Sequence, residues 1–320
     1  MLSDVLRTIR LTGSLQFCFM PTGDWHTDDK PAMAKLAQTA SGGASAGPSS
    51  AIPFHILVEG QCWLKIEGRH VSLQAGDVVA FPFGTGHQLG AGSDGLLVTP
   101  VRDLPPKPWR ELPVLRYGAG PQRVRLLCGY LQCDAVGFRP LLQALPSLLH
   151  ASTSGATESN WLRATIQQIV SEVDRPRSGG LSMLERLTEI TFIELLRHQI
   201  QQASPAATGW LAAIGDPSLG SCLALIHDDP ARDWSLADLA AGCGLSRSSL
   251  SERFETLLDT SPMRYVRDWR LHLASVALST SRKSIASIAH DAGYGTEAAF
   301  NRAFSRSFGA PPATWRKNRE

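Results

Sequence analysis

The chain has 320 residues, 43% of them hydrophobic, and a formal net charge of +2. That length and apolar content suit two or three packed domains. The near-neutral balance excludes a protein that coats nucleic acid by charge alone, and no apolar run approaches the roughly 20 residues of a membrane-spanning helix.

The N-terminus lacks the charged-then-apolar pattern of a signal peptide. The six cysteines (Cys18, Cys62, Cys128, Cys133, Cys222, Cys243) form no CxxC pair. Reduced thiols in a cytoplasmic protein, with no membrane partner, are therefore expected. Residues Ala37 to Ser50 are Gly-, Ser- and Ala-rich and read as a mobile loop. From Ile52 to Val101 the texture is β. Short runs at Phe54–Glu59, Cys62–Ile66, His70–Leu73 and Val78–Phe81 alternate with turns at Gly60, Gly68 and Gly76. Such spacing predicts a small barrel or sandwich.

The texture then turns helical. Leu141–Leu149 reads as a helix, and Ala151–Asn160 as a polar break. Trp161–Val173 and Leu181–Gln202 carry apolar residues at three- and four-residue steps. In the second, Leu184, Leu187, Ile190, Thr191, Ile193, Glu194 and Leu195 surround a broad stripe. The expected fold class is α+β, with three parts: a strand-rich domain over 1–150, a helical connector over 151–210, and an all-α domain over 216–320.

That last part repeats a local pattern about fifty residues apart. In the first copy Ser235 and Asp238 form a capping-box signature, Ala240 is small where two helices cross, and Gly244 follows four residues later. Ser246 is then an N-cap for a second helix, with Leu250, Phe254 and Leu257 facing inward. In the second copy Ser284, Ala289, Gly293 and Thr296 take the same places, and Phe300, Phe304 and Phe308 face inward. One residue is added in its turn: Ala240 to Leu250 is a step of 10, and Ala289 to Phe300 a step of 11. Each copy predicts a helix-turn-helix, whose second helix enters the DNA major groove. The outward residues are Arg247, Ser248, Ser251 and Glu252 in the first copy and Glu297, Ala298, Asn301 and Arg302 in the second. Between the copies, Ser261-Pro262 starts a helix running to about Thr280. At 1.5 Å per residue it spans roughly 28 Å, which suits two recognition helices in successive major-groove turns. Charge supports the assignment: Asp216–Thr260 holds 3 Lys/Arg against 8 Asp/Glu, whereas Ser261–Glu320 holds 10 against 4.

This module closely resembles the AraC/XylS family of bacterial transcription regulators. The matching residues are Arg253-Phe254, Ser261-Pro262, Tyr265, Arg270, Ala274, Ile285–Ala289, Gly293-Tyr294, Phe300, Arg302, Phe304, Phe308-Gly309, Pro312 and Trp315-Arg316. Asp259 departs from the pattern, where the family usually has Gly. The resemblance implies a sequence-specific regulator, an activator in many members, with double-stranded promoter DNA and RNA polymerase as partners.

Upstream, Gly76, Pro82, Gly84 and His87 fit the second motif of the cupin superfamily. Gly47, His55 and Glu59 stand at the spacing of the first, with Pro53 in place of its first His. Cupins that carry metal use three His and one Glu, so the resemblance implies His55, His87 and Glu59 as candidate ligands, with zinc as the metal. The other reading makes the histidines hydrogen-bonding groups in a site for a small effector. The stretch around Cys18, and Cys128 in Leu126-Leu-Cys-Gly129, resemble the reactive-chlorine-sensing branch of these regulators, which implies Cys18 and Cys128 as redox candidates. Cys62 is a further thiol placed for the interior. Paired helices after the cupin often dimerise in this family, so a homodimer is implied. The alternative is a cupin metalloenzyme fused to a DNA-binding domain. It needs a complete facial metal site, which Pro53 breaks; a non-enzymatic regulator is the expected function.

Overall fold

The computed structural model describes residues 2, 3, 6, 10–28, 50–93, 95–134, 145–153, 160–202 and 208–318. Residues 37–49 of the Gly/Ser-rich stretch, motif residue Gly47 among them, and residues 141–144 of the expected helix lie outside these, whereas Ser50 opens a strand. The chain divides into two compact units, one of Leu11–Cys133 with Leu145–Gln199, the other built chiefly from Ile200–Glu320. The strand-rich N-terminal half and helical C-terminal half are both present.

The first unit holds two sheets. One has six strands in the order β11-β6-β3-β10-β1-β9: β1 (Arg10–Pro21), β3 (Ser50–Glu59), β6 (Asp77–Ala80), β9 (Val114–Tyr117), β10 (Arg125–Asp134) and β11 (Leu149–Ser152). The other runs β5-β4-β7-β2-β8, from β2 (Trp25–Thr27), β4 (Gln61–Ile66), β5 (Arg69–Gln74), β7 (His87–Ala91) and β8 (Leu96–Val98). Alternation decides what each strand buries. Phe17 and Phe19 of β1, Leu57 of β3 and Leu126, Cys128 and Tyr130 of β10 meet Leu64, Ile66, Leu73 and Leu89 of the second sheet in one core. The hairpin between β4 and β5 turns at Glu67-Gly68, both at positive φ. Such a two-residue turn matches the twist of the strands it joins.

Helices α1 (Asn160–Asp174) and α2 (Gly180–Gln201) fall where the sequence periodicity puts them. The buried stripe of α2 takes in Thr188, Phe192 and Leu196 besides Leu184, Leu187, Thr191 and Leu195, whereas Ile190, Ile193 and Glu194 sit at its margins. Gly13 of β1 lies under α2: a Cβ there would stand 2.6 Å from Cβ of Thr188. Both helices belong to the sheet unit. Helix does not extend through Leu145–Leu149. Pro146 cannot continue a helix, and Leu149–Ser152 pairs with Asp77–Ala80 as an edge strand.

The second unit is helical among its described residues: α3 (Trp210–Gly215), α4 (Pro217–Asp228), α5 (Leu236–Gly242), α6 (Arg247–Leu258), α7 (Pro262–Thr280), α8 (Ile285–Asp291), α9 (Glu297–Phe308) and α10 (Pro312–Lys317). It extends upstream of Asp216, because fully buried Trp210 donates its indole N–H to Tyr265 Oη at 2.8 Å. No helix of the described residues is long and apolar enough to cross a membrane.

Candidate functional site

The helical unit carries the two motifs on matched local geometry. Ser235 accepts from Asp238 N–H while the Asp238 carboxylate accepts from Ser235 N–H, completing the capping box of α5. Gly244 and Gly293 have φ of 68° and 74°. In each copy the following residue returns a hydrogen bond to the crossing alanine: Leu245 N–H to Ala240 O and Tyr294 N–H to Ala289 O, both 2.9 Å. This left-handed cap ends the first helix and aims the chain into the second. The extra residue is Gly295, between Tyr294 and the N-cap Thr296. Asp259 takes the left-handed conformation (φ 49°) that Gly309 takes in the second copy (φ 73°), so the family's glycine position keeps its turn here. Asp is among the few residues that tolerate it.

Leu250, Phe254, Phe300 and Phe304 are completely buried. Opposite them, Arg247, Ser248, Glu252, Glu297, Ala298 and Arg302 are exposed, while Ser251 and Asn301 are partly covered. Ser251 donates to Arg247 O at 3.0 Å. Asn301 Oδ1 is buried without a partner among the described residues. The arginines sort into two groups. Arg253 is paired with Asp216 at 2.6 Å, Arg270 donates to Pro230 O and Arg232 O, and Arg316 donates to Leu278 O and Lys283 O. Those three hold the fold. Arg264 and Arg267 pair with Asp268, whereas the side chains of Arg247, Arg282, Arg302 and Arg306 make no ion pair or hydrogen bond among the described residues. Sequence reasoning passed over Arg306, although it lies four residues beyond Arg302 on the same helix face.

In the sheet unit, His55 and His87 come together from different sheets, with Nε2 to Nε2 at 2.9 Å. His55 Nδ1 meets Cys128 Sγ at 3.1 Å, and His87 Nδ1 meets Thr85 O at 2.9 Å. The proton positions follow from the chemistry of the ends. A carbonyl only accepts, so neutral His87 carries its proton on Nδ1 and accepts on Nε2. His55 then donates from Nε2, and its bare Nδ1 accepts the Cys128 S–H. A single neutral arrangement satisfies the chain, directed from thiol to carbonyl. His87 also stacks on Phe81, centroids 3.6 Å apart. The chain lies in the wall of a cavity of about 70 Å³, lined further by Phe17, Phe19, Pro53, Leu89, Val101 and Arg102.

Burial sets the charge states. It holds His55 well below the usual histidine range, with His87 adding to the effect, and lowers His87 to about 4. The Cys128 thiol is pushed up by burial. Both imidazoles are therefore neutral when folded, and protonating either would break the chain. An unfolded chain takes up the His87 proton below about 6.5 and the folded one only near 4. Stability from this site is complete above pH 6.5 and falls as pH drops towards 4. Urea midpoints measured across that window should decline, and less steeply in His87→Gln; an equal decline in both would refute the assignment.

Two expectations change. Glu59 does not join the histidines: it is exposed, lies roughly 13 Å along β3 from His55 at 3.3 Å per residue, and does not line the cavity. No group of three or more His, Cys, Asp or Glu among the described residues is placed to hold a metal. With both Nε2 atoms bonded to each other and both Nδ1 atoms engaged, the site does not fit zinc. Of the two redox candidates, Cys128 is the one beside the histidines. Cys18 alternates with Phe17 and Phe19 and so faces the outer side of its sheet, where Arg125 Nε donates to its sulfur at 3.4 Å and pairs in turn with Asp174. Burial raises the Cys18 thiol despite that guanidinium.

A cupin family profile matches residues 1–201, and a helix-turn-helix domain profile matches residues 239–318. The chain is 31% identical over 320 residues to an AraC-like transcription regulator of Streptomyces lividans, covering 99% of this chain and 98% of that one. It is 36% identical over 179 residues to the regulator AlkR of Acinetobacter baylyi, covering 56% and 58% of the two chains. It is 25% identical over 274 residues to RclR of Escherichia coli, named as an RCS-specific transcriptional activator, covering 85% and 86%. Tandem helix-turn-helix geometry, the cupin match and the full-length likeness to the Streptomyces lividans regulator place the chain in the AraC family of DNA-binding transcription regulators, in the group with an N-terminal cupin domain.

Proposed function

We propose that this regulator receives its signal in the cupin cavity and reads promoter DNA with α6 and α9. The observation that carries the sensor half is the hydrogen-bond chain from Cys128 through His55 and His87 to Thr85 O. The cavity wall is otherwise mostly apolar, so it admits small uncharged molecules more readily than hydrated ions. A reagent that consumes the Cys128 thiol removes the proton that His55 accepts. The remaining bonds must then rearrange, and that is the coupling a sensor needs. RclR's name points to hypochlorous acid as a probe of that size. Cys18, on the outer sheet face beside Arg125, is the second thiol in this reading. On the output side, Arg247, Ser248, Ser251, Glu252, Glu297, Ala298, Asn301 and Arg302 form the DNA-facing set. The protein acts as a cytoplasmic homodimer that engages RNA polymerase at the promoter.

The test treats full-length protein with one equivalent of hypochlorous acid, maps the modified cysteine by peptide mass spectrometry, and measures DNA affinity by anisotropy. Modification at Cys128, with a change in affinity that Cys128→Ser abolishes, is expected. Modification elsewhere with Cys128 untouched, or an unchanged response in Cys128→Ser, would refute the sensor assignment.

A further inference from the structure

The two helix-turn-helix motifs share α7, but the second has a core of its own. Among the described residues, Leu271, Ala274 and Leu278 of α7 pack there with Ile288, Ala289, Phe300 and Phe304, and no residue of α4, α5 or α6 enters. On the side of the first motif, Tyr265 of α7 meets the Phe254 ring, centroids 5.8 Å apart, and accepts the Trp210 N–H. Arg270 stands between these two sets, at the middle of the 19-residue helix. Its Nε donates to Pro230 O at 2.6 Å and its Nη2 to Arg232 O at 2.7 Å. Both carbonyls belong to the connection from α4 to α5, which leads to the N-cap Ser235 of the first motif. The turn of the second motif lies against the same guanidinium. A Cβ on Gly293 would stand 3.0 Å from Arg270 Cζ and 3.0 Å from Ala231 O.

We propose that Arg270 is a positioning residue that fixes the second motif against the first, and so sets the spacing of the DNA segments the protein accepts. This rests on the reading that both motifs engage one duplex. A guanidinium is planar and donates as a rigid fork, so bonds to two carbonyls fix its orientation as well as its place. The loop that receives the fork is itself held. Arg232 O also accepts from Trp234 N–H at 2.7 Å, and Trp234 Nε1 donates to Asp229 O at 2.8 Å. Gly293 then serves twice. Its positive φ makes the turn, and its missing side chain lets that turn touch both the loop and the guanidinium.

The consequence for DNA follows from helical geometry. One inserted base pair moves the second segment by about 3.4 Å along the duplex and turns it by roughly 35°. A clamped pair of motifs cannot follow that displacement. A pair joined through α7 alone has the freedom to follow part of it, and so discriminates spacing less.

Two measurements on the full chain test this. Glu255 of α6 and Ser307 of α9 are exposed. Spin labels carried there on unnatural amino acids report the distance between the recognition helices without DNA. The parent should give one narrow distance distribution and Arg270→Met a broader one, because Met keeps the stem and removes every donor. Should Arg270→Met lose its helical circular dichroism, Arg270→Lys takes its place under the same criterion, since an ammonium does not reproduce the fork. The second measurement compares the duplex that the parent protects with one carrying a base pair inserted between the two protected segments. Insertion should cost the parent about 5-fold or more in affinity, the scale of one mismatched base pair. It should cost Arg270→Met less, and that variant should bind a duplex with one segment alone as the parent does. A distribution as narrow as the parent's, an insertion penalty of equal size, or weaker binding to the one-segment duplex would overturn the proposal. Absence of any insertion penalty in the parent would count against the two-motif reading, while the distance measurement still decides the role of Arg270.

Discussion

Phe304→Ala is expected to destabilise the C-terminal unit by about 3–5 kcal/mol, the usual cost of emptying a buried aromatic site. Phe304 is completely buried in α9. Its ring lies 5.5 Å from Phe300, 4.4 Å from Phe308 and 5.8 Å from Trp315, so truncation leaves several partners facing a void. The same cluster joins α7 through Leu271, Ala274 and Leu278 and α8 through Ile288 and Ala289. Losing it frees the second recognition helix from the scaffold that orients it. Phe308→Ala should cost less, because that ring is only partly buried. The check is urea unfolding followed by far-ultraviolet circular dichroism. A loss under about 1 kcal/mol for Phe304→Ala, below the range for core truncations, would contradict this packing.

Arg302→Ala should lower promoter affinity by roughly 1–3 kcal/mol if its guanidinium reads a base edge, about 5- to 150-fold. Arg302 is exposed on α9 and has no partner among the described residues, whereas Arg253, Arg270 and Arg316 are committed to neighbouring groups. Asn301 stands beside it, a residue type that pairs with adenine. Arg306→Ala should weaken binding to every sequence alike and reduce the salt slope, as loss of a phosphate contact does. Competition with scrambled duplexes separates the two. A loss for Arg302→Ala spread evenly over all sequences would reduce that residue to a phosphate contact.

The helix-turn-helix pair was legible because its signals are local. Caps at Ser235, Ser246, Ser261, Ser284 and Thr296, and positive φ at Gly244 and Gly293, each depend on a few neighbouring residues. The β3–β6 region was legible for the same reason, through its turns. β1 was overlooked although Leu11, Gly13, Leu15, Phe17 and Phe19 alternate with Thr12, Ser14, Gln16 and Cys18, a period-two signal present in the sequence. β10 was harder. Leu126, Cys128 and Tyr130 enter the core while Leu127 and Leu131 are buried on the other face, and an apolar run covered on both sides has no period. The thiol partner of His55 was not readable at all. It depends on the register of β3 with β10, which sets His55 opposite Cys128 across 73 residues of sequence. Cys18 offered a comparable motif, and only strand alternation turns it away from the histidines.

The most direct test of the central claim is footprinting of the full-length protein on DNA upstream of its own and adjacent genes. Two recognition helices on the frame of 19-residue α7 should protect two major-groove segments one helical turn, about 34 Å, apart. Arg247→Ala should erase one segment and Arg302→Ala the other. A single protected segment, or protection that neither substitution alters, would contradict a regulator that reads DNA with both copies of its motif.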